Sequence, residues 1–356
     1  MIGIIVIALF GVAGAAVAGG QMSHLIGSAA PADPTASTPN ASPAPSPSRT
    51  PDSTPTPPTP TPPTPATPTP APPPAAPVSP AETSCATEVM SSIWAHYDDD
   101  LIFANPALQD AMAAGDCIRT VFLTASDAGR GSAYSQKREL GILRAYNTMR
   151  GQEGFWSEKR VTLLSGAVLS QWSPDGDPDI TVAFLRLPDG NLAGDGFGAT
   201  GNVGLPKLLN GVIPALAPID GGPAISSETL VASLAEVVQA YHARLLMTHV
   251  PSTAVAWTAG DHADHAAAGT YARAAWQRAG FAAGQVSYAI GYPTAELPAN
   301  LSGDILTRKL APYRVYSSQD PVVSCATDEA CLAKPSFGQW LQRHYLKSDA
   351  ELFPAG

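Results

Sequence analysis

The sequence predicts a three-layer α/β/α fold built on a mostly parallel sheet, and two observations support this. Short apolar runs rich in β-forming residues alternate with segments whose apolar residues recur at helical spacing. This alternation is typical of a parallel sheet that helices cover on both faces. The second observation is length, because residues 83–356 suit a single α/β domain.

The elements follow one another in a regular order. The strand-like segments are residues 91–95, 117–125, 160–166, 180–187, 244–250 and 285–292. The helical patterns cover residues 134–149, 230–242 and 264–280. Ligands of such folds bind beyond the carboxyl ends of the strands, so we expect a site at the residues that follow the first strand.

The N-terminal part of the chain has a different composition. Residues 1–22 include an uncharged apolar run, which predicts either a cleaved secretory signal or an uncleaved membrane anchor. Residues 23–82 are rich in Pro, Thr, Ser and Ala and predict a disordered linker. Both interpretations of residues 1–22 predict export, with the protein secreted or tethered to the outer face of the membrane. If the segment stays uncleaved, contact with the membrane is expected through it alone.

Four cysteines and the net charge add further limits. An even number of cysteines in a chain that is expected to be exported predicts disulfides. We expect Cys325 to pair with Cys331 across a short loop, which leaves Cys85 to pair with Cys117. The formal net charge of −10 argues against a nucleic-acid partner.

An unusual acidic cluster follows the first strand. His96, Asp98, Asp99 and Asp100 lie together, and adjacent carboxylates repel one another unless solvent or a cation intervenes. The alternative interpretation is a solvated acidic turn with a chance histidine. A metal site requires further ligands from elsewhere in the chain.

A second segment, residues 258–269, contains such ligands. His262 and His265 are three residues apart at the start of a predicted helix, so they share a face. Together with His96, they are three of the six histidines in residues 83–356. His96, Asp99 and His265 form a two-histidine, one-carboxylate set that suits one Zn²⁺ ion per chain, with Fe²⁺ as the alternative.

The two segments resemble those of a known family. AHYDDD, residues 95–100, and DHADH, residues 261–265, are similar to the AHPDDE and HPDH motifs of the LmbE-like, PIG-L zinc de-N-acetylases. The resemblance covers about residues 90–345 and includes TASDAGRG, residues 124–131, which is similar to the family's glycine-containing loop. It implies the Rossmann-like LmbE fold and the removal of acetyl groups from N-acetylglucosaminides.

The resemblance also implies roles for individual residues. His96, Asp99 and His265 correspond to the metal ligands, and Asp98 to the general base. His262 corresponds to a protonated histidine that stabilises the oxyanion and passes a proton to the leaving amine. Asp264 corresponds to a carboxylate that orients a neighbouring imidazole.

Four positions depart from the family motifs. Tyr97 and Ala263 replace prolines, which predicts looser loops. Asp100 replaces a glutamate, and Gln136 replaces the arginine of an Arg-x-x-Glu pattern that would end at Glu139. These changes spare the ligands but leave the substrate open.

Other polar residues carry weaker predictions. The candidates for substrate contact are Asp100, Asp127, Arg130 and Arg138; a surface salt bridge is the alternative for Asp127 with Arg130, and solvation the alternative for Arg138. Asp189 is interpreted as a turn residue before Gly190. A packing or structural role is expected for Tyr288, Tyr292, His242, His249 and His344.

The function that these residues predict is a zinc hydrolase that removes the acetyl group from an N-acetylated sugar. One alternative is a non-catalytic carbohydrate-binding or wall-binding module that retains a metal site. The other is a metal-dependent phosphoesterase, because Asp/His sites also serve two-metal chemistry. The sequence predicts neither the acceptor sugar nor the oligomeric state.

Overall fold

The computed structural model describes residues 78–354. The predicted signal or anchor, residues 1–22, lies outside the described residues, as does the predicted linker up to residue 77. Among the helices that the structure describes, none is long and apolar enough to span a bilayer.

The described residues form eight strands and ten α-helices. The strands are β1 Val89–Trp94, β2 Cys117–Thr124, β3 Trp156–Thr162, β4 Val168–Pro174, β5 Ile180–Leu187, β6 Leu245–His249, β7 Val286–Ala289 and β8 Leu346–Ser348. The helices are α1 Ala107–Ala114, α2 Ser132–Met149, α3 Leu205–Leu209, α4 Ser227–Ala240, α5 Val255–Thr258, α6 Ala263–Arg278, α7 Gly303–Ser317, α8 Asp328–Leu332, α9 Phe337–Leu341 and α10 Asp349–Leu352. A π-helical turn, Asp100–Ala104, follows β1.

The strands form one sheet in the order β3-β4-β5-β2-β1-β6-β7-β8. The five central strands, β5 to β7 in this order, are parallel, whereas β3, β4 and β8 pair antiparallel. The predicted α/β class is confirmed, but the sheet is mixed and not mostly parallel. The physical reason lies at residues 160–166, where one strand was expected. These residues span the end of β3 and a tight turn into β4, and a hairpin connection makes neighbours antiparallel.

Helices cover both faces of the sheet. One apolar core contains Val121 and Leu123 of β2 together with Leu234 of α4 and Trp276 of α6. The other contains Phe122 of β2 together with side chains of α2 and α7. Alternate residues of one strand therefore enter opposite cores, as a sheet between two helical layers requires.

The strand order reverses at β1, which lies between β2 and β6. The crevice beyond the carboxyl ends of these strands is where α/β folds bind ligands. Helix α6 begins there and approaches β6 closely, since a Cβ on Gly269 would collide with the His249 carbonyl. This close packing brings the start of α6 to the ends of β1 and β6.

The folded region begins before residue 83. Ala81 is fully buried in the first core, the Ser79 hydroxyl donates to Glu236 at 2.6 Å, and Lys159 donates to the Pro80 carbonyl. These contacts extend to Ser79, within the segment that was expected to be linker. Both expected disulfides are present, Cys85–Cys117 and Cys325–Cys331.

Candidate metal and catalytic site

The loop after β1 places His96 and Asp99 side by side. The backbone amide of His96 donates to Asp99 Oδ2 at 2.6 Å, so the carboxylate holds the turn that carries both side chains. His96 Nδ1 lies 3.4 Å from the same oxygen, and both residues are buried.

The start of α6 supplies His265, and the two motifs meet. His265 Nε2 lies 3.1 Å from Asp99 Oδ1, and the rings of His96 and His265 have centroids 5.2 Å apart. Ligand atoms of His96, Asp99 and His265 all lie within 4.8 Å of one another, close enough to share one ion. The structure thus brings together the three predicted ligands, although His96 and His265 are 169 positions apart in the sequence.

A hydrogen bond to Asp261 shows that His265 suits a metal. Asp261 Oδ1 lies 2.8 Å from His265 Nδ1, which assigns the ring proton to Nδ1 and leaves a lone pair on Nε2. Nε2 faces the Asp99 carboxylate and has no hydrogen-bond partner among residues 78–354. Two electron-rich atoms that face each other in a buried site repel, so a metal ion or a proton between them is favoured. A carboxylate behind a ligating imidazole is a common support of zinc sites.

The local field also favours positive charge. Burial alone would lower the pKa of His265, but Asp99 and Asp261 on either side raise that pKa to about 9. Asp261 was not among the predicted site residues, and the only sequence signal was its place at the start of the second motif.

His249 was expected to be structural, yet it contacts the predicted site. It ends β6, its Nε2 lies 2.8 Å from Asp99 Oδ2, and its ring stacks on His265 at 4.0 Å. Burial and the neighbouring His265 lower the pKa of His249 to about 4, so the neutral ring donates from Nε2 to Asp99. Its position at the end of a strand beside β1 was the signal that sequence reasoning missed.

Asp98 points to a different partner. Arg138 of α2 donates to Asp98 Oδ1 at 2.8 Å, and its Nε lies 3.1 Å from Asp320 Oδ2. Arg138 is buried, which contradicts the alternative of a solvated side chain. Burial raises the pKa of Asp98, although Arg138 opposes that rise. Asp320, which follows α7, was not predicted because nothing local in its sequence indicates the contact.

His262 caps the start of α6. Its Nδ1 accepts the backbone N–H of Asp264 at 3.1 Å, so the proton of the neutral ring resides on Nε2. Burial, together with His96 and His265, holds the pKa of His262 well below its usual range. The expected protonated histidine therefore disagrees with this environment, because Nδ1 is already engaged as an acceptor.

Asp264 lies behind His96, where the resemblance implied an orienting carboxylate. Its Oδ2 lies 3.3 Å from His96 Nε2 and accepts the Gly190 N–H at 2.7 Å. A Cβ on Gly190 would collide with this carboxylate, which explains the glycine there. Asp189 forms the expected turn by accepting the Asn191 N–H, but its Oδ2 also lies 3.9 Å from His96 Nε2.

A cavity of about 190 Å³ opens onto these groups. Its polar lining includes His96, Asp98, Asp99, Arg130, Arg138, Asp189, His262 and Asp320, and its apolar lining includes Phe103, Tyr292, Val322, Val323, Phe337 and Trp340. Tyr292, which was expected to serve packing, both lines the cavity and stacks on Trp340 at 4.0 Å. The C-terminal part of the chain thus supplies much of the apolar wall.

Two predicted substrate residues are elsewhere. Asp100 is fully buried and accepts a hydrogen bond from the Tyr146 hydroxyl at 2.6 Å, so it does not face the cavity. Burial raises the pKa of Asp100 to about 8, and the resulting neutral carboxyl relieves the repulsion within the acidic cluster. Asp127 is also buried and accepts the Asp189 N–H instead of meeting the cavity.

The two residues that stand in place of prolines, Tyr97 and Ala263, each donate a backbone hydrogen bond to another segment. The Tyr97 N–H donates to the Ser126 hydroxyl, and the Tyr97 phenol hydroxyl donates to Glu139 at 3.0 Å. The Ala263 N–H donates to the Leu192 carbonyl at 3.1 Å. A proline has no N–H to donate, so each replacement adds a backbone hydrogen bond to another segment.

Three solved structures are distantly similar to this chain. The conserved protein TT1542 from Thermus thermophilus is 16% identical, with 73% of this chain and 92% of that chain covered and a TM-score of 0.38. The zinc-inhibited form of teicoplanin deacetylase Orf2 is 13% identical, with 67% of this chain and 86% of that chain covered and a TM-score of 0.38. A deacetylase-bog complex from the biosynthesis pathway of teicoplanin is 14% identical, with 65% of this chain and 85% of that chain covered and a TM-score of 0.38. A search of curated proteins found no match.

The family comparison is more specific. Residues 92–276 match PIG-L, described as GlcNAc-PI de-N-acetylase. This region is more than half of the chain, and it extends from within β1 to near the end of α6, so it includes every predicted metal ligand. The chain therefore belongs to the PIG-L family of de-N-acetylases.

Proposed function

We propose that this protein is an exported, zinc-dependent de-N-acetylase that hydrolyses the acetamide of an N-acetylated sugar. The observation that carries this proposal is the meeting of His96, Asp99 and His265 within one ion's reach, with Asp98 beside them and held by Arg138. A purely structural metal site has no use for such a neighbouring carboxylate. The two disulfides support export, because such bonds persist in oxidising compartments.

The residues of the site have complementary parts in hydrolysis. A divalent ion held by His96, Asp99 and His265 would supply a Lewis acid and lower the pKa of water to ~7. Arg138 holds Asp98 Oδ1, which leaves Oδ2 available to take a proton as water attacks the acetyl carbonyl. Its burial raises the pKa of Asp98, which makes it a better base.

His262 stabilises the negative charge that develops on the acetyl carbonyl oxygen. Because its Nδ1 accepts a backbone N–H, it approaches the carbonyl oxygen with a neutral Nε2–H donor. Loss of one such donor in other enzymes lowers turnover ~10²–10³-fold. We therefore assign the return of the proton to the departing amine to Asp98, which gained it from water, in place of His262.

The experiment is an assay of acetate release from a panel of N-acetylated wall fragments, glycolipids and free sugars. Activity should disappear with chelator and return with added zinc. Asp98→Asn should release acetate ~10²–10⁴-fold more slowly than the parent. The control Asp304→Asn, which changes an exposed carboxylate on α7, should behave as the parent. Stoichiometric zinc without acetate release from any substrate would favour the non-catalytic module.

One observation keeps the phosphoesterase as a second candidate. A further set of possible ligand atoms, from His96, Asp189, His262 and Asp264, lies within 4.8 Å and shares His96 with the first set. Two ions per chain with phosphate release would support two-metal chemistry, whereas one ion per chain with acetate release supports the deacetylase.

A further inference from the structure

A second and larger cavity lies on the other side of α2. It has a volume of about 990 Å³ and is bounded by α2 and by the antiparallel pair β3 and β4. We call it the α2–β3 groove. Arg138 of α2 lines the catalytic cavity and the next residue, Glu139, lines the groove, so the two cavities share this helix as a wall.

The groove exposes apolar side chains that a core would normally bury. Phe155 is 84% exposed and Leu140 is 43% exposed, and Trp156 and Trp172 beside them are half-buried. Exposed apolar residues gathered in one concavity indicate a binding surface.

The two tryptophans are held in place. The Trp156 indole N–H donates to Asn147 Oδ1 at 3.1 Å, and the Trp172 indole N–H donates to the Ser170 hydroxyl at 2.9 Å. Because protein partners satisfy these N–H groups, what the rings offer a ligand is apolar surface. Such fixed rings lose little conformational entropy when they bind.

Charged groups also line the groove, but they largely cancel. Its carboxylates are Glu139, Glu153, Glu158 and Asp220, and its guanidinium groups are Arg144, Arg160 and Arg186. Arg186 binds both oxygens of Glu139, at 2.6 and 2.9 Å, and also Asp220 at 3.0 Å. A polyanion would meet these carboxylates and an arginine that is already paired, so the groove does not favour phosphate.

An acyl chain fits no better. It would remove water from the exposed charged side chains of the groove and offer them no hydrogen bonds in return, which is costly. These side chains are Arg144, Glu153, Glu158, Arg160 and Asp220. A pyranose ring combines one face of C–H groups with a rim of neutral hydroxyls. It can therefore lie against the aromatic rings while its hydroxyls bond to the charged groups around them.

We propose that the α2–β3 groove binds a neutral oligosaccharide, at a site separate from the metal cavity. The cavity volume accommodates several sugar rings. The proposal needs no catalysis at the metal site, since the groove residues do not include the predicted ligands.

The test uses tetra-N-acetylchitotetraose and isothermal titration calorimetry on the full chain carrying His265→Ala, which prevents hydrolysis. We expect the added change Phe155→Ala to weaken binding at least fivefold, and Trp172→Ala to weaken it further, while Trp172→Phe retains most of the affinity. Val212→Ala, an exposed apolar residue outside the groove, should leave the affinity unchanged. Phe155 is so exposed that its loss should not affect folding.

Three results would overturn the proposal. The first is no binding of the tetrasaccharide. The second is binding that is equal in all groove variants, and the third is binding of decanoate that depends on Phe155 and is tighter than that of the sugar. Acetate release from the unaltered chain is measured separately. Sugar binding that depends on Phe155 supports the groove even if no acetate is released, so the two proposals can fail independently.

Discussion

Asp99 is the residue around which the candidate site is organised. It accepts the His96 backbone N–H and the His249 imidazole at Oδ2, and its Oδ1 faces His265. An aspartate held on three sides in a buried site has one available geometry, which is the preorganisation that metal binding and catalysis need. The consecutive aspartates beside it have separate environments, because Asp98 pairs with Arg138 and Asp100 is buried against Tyr146.

The first prediction separates the base from the ligands. Asp98→Asn should retain zinc and lower kcat by ~10²–10⁴-fold, because it removes a proton acceptor without removing a ligand. His265→Ala should lose both zinc and activity. Elemental analysis of the purified variants and acetate release are the measurements. Equal zinc content in the two variants would refute the assignment.

The second prediction concerns Asp261, which orients His265. Asp261→Asn should weaken zinc affinity by about 10–100-fold, since carboxylates behind ligating imidazoles have effects of this size. The affinity is measured by competition with a chromogenic chelator. Asp304→Asn on the protein surface is the control, and an unchanged affinity in Asp261→Asn would argue against the orienting role.

At the scale of elements, the two disulfides constrain different ends of the fold. Cys85–Cys117 joins the segment before β1 to the start of β2, at the edge opposite the strand ends that carry the site. Cys325–Cys331 joins the segment after α7 to α8, next to Val322 and Val323 of the cavity wall. We therefore expect Cys85–Cys117 to stabilise the sheet and Cys325–Cys331 to maintain the shape of the site.

The third prediction follows from these positions. Replacing both Cys85 and Cys117 by serine should lower the free energy of unfolding by about 4 kcal/mol, and replacing Cys325 and Cys331 by about 2 kcal/mol, because the longer loop loses more closure entropy. Urea denaturation measures both. We also expect the KM for the deacetylation substrate to rise in the second variant alone. A larger KM change in the first would contradict this division.

Helix α2 shows how much one element determines. Arg138 reaches the candidate base, and Glu139 receives Tyr97 and Arg186. Neighbours on a helix point about 100° apart, so one helix can serve the catalytic cavity and the α2–β3 groove at once.

At the scale of the whole molecule, the N-terminal boundary of the folded unit can be tested. A chain that begins at residue 78 should match the full chain in acetate release from soluble substrates, because the described site residues all follow β1. A chain that begins at residue 83 should lose about 1–2 kcal/mol of stability, since it lacks buried Ala81 and the Ser79–Glu236 hydrogen bond. Thermal unfolding and acetate assays compare the two chains. Equal stability would show that residues 78–82 add nothing to the fold.

The sequence alone determined the α/β class and the motifs that carry the predicted ligands. Strand periodicity and the residues that end strands are local properties, so His96, Asp99 and His265 could be named before any contact was known. The mixed sheet could not be predicted in this way. Whether a segment such as residues 160–166 continues as a strand or turns into a hairpin depends on its neighbours in space.

Only the tertiary structure decided which distant groups complete the site. His249, Asp261, Asp320 and the buried position of Arg138 become functional candidates through contacts between β6, α6, α2 and the segment after α7. Charge and burial act over a few ångströms of space, not along the chain. For the same reason Asp100, which follows Asp99 directly, lies in the core while its neighbours face the cavity.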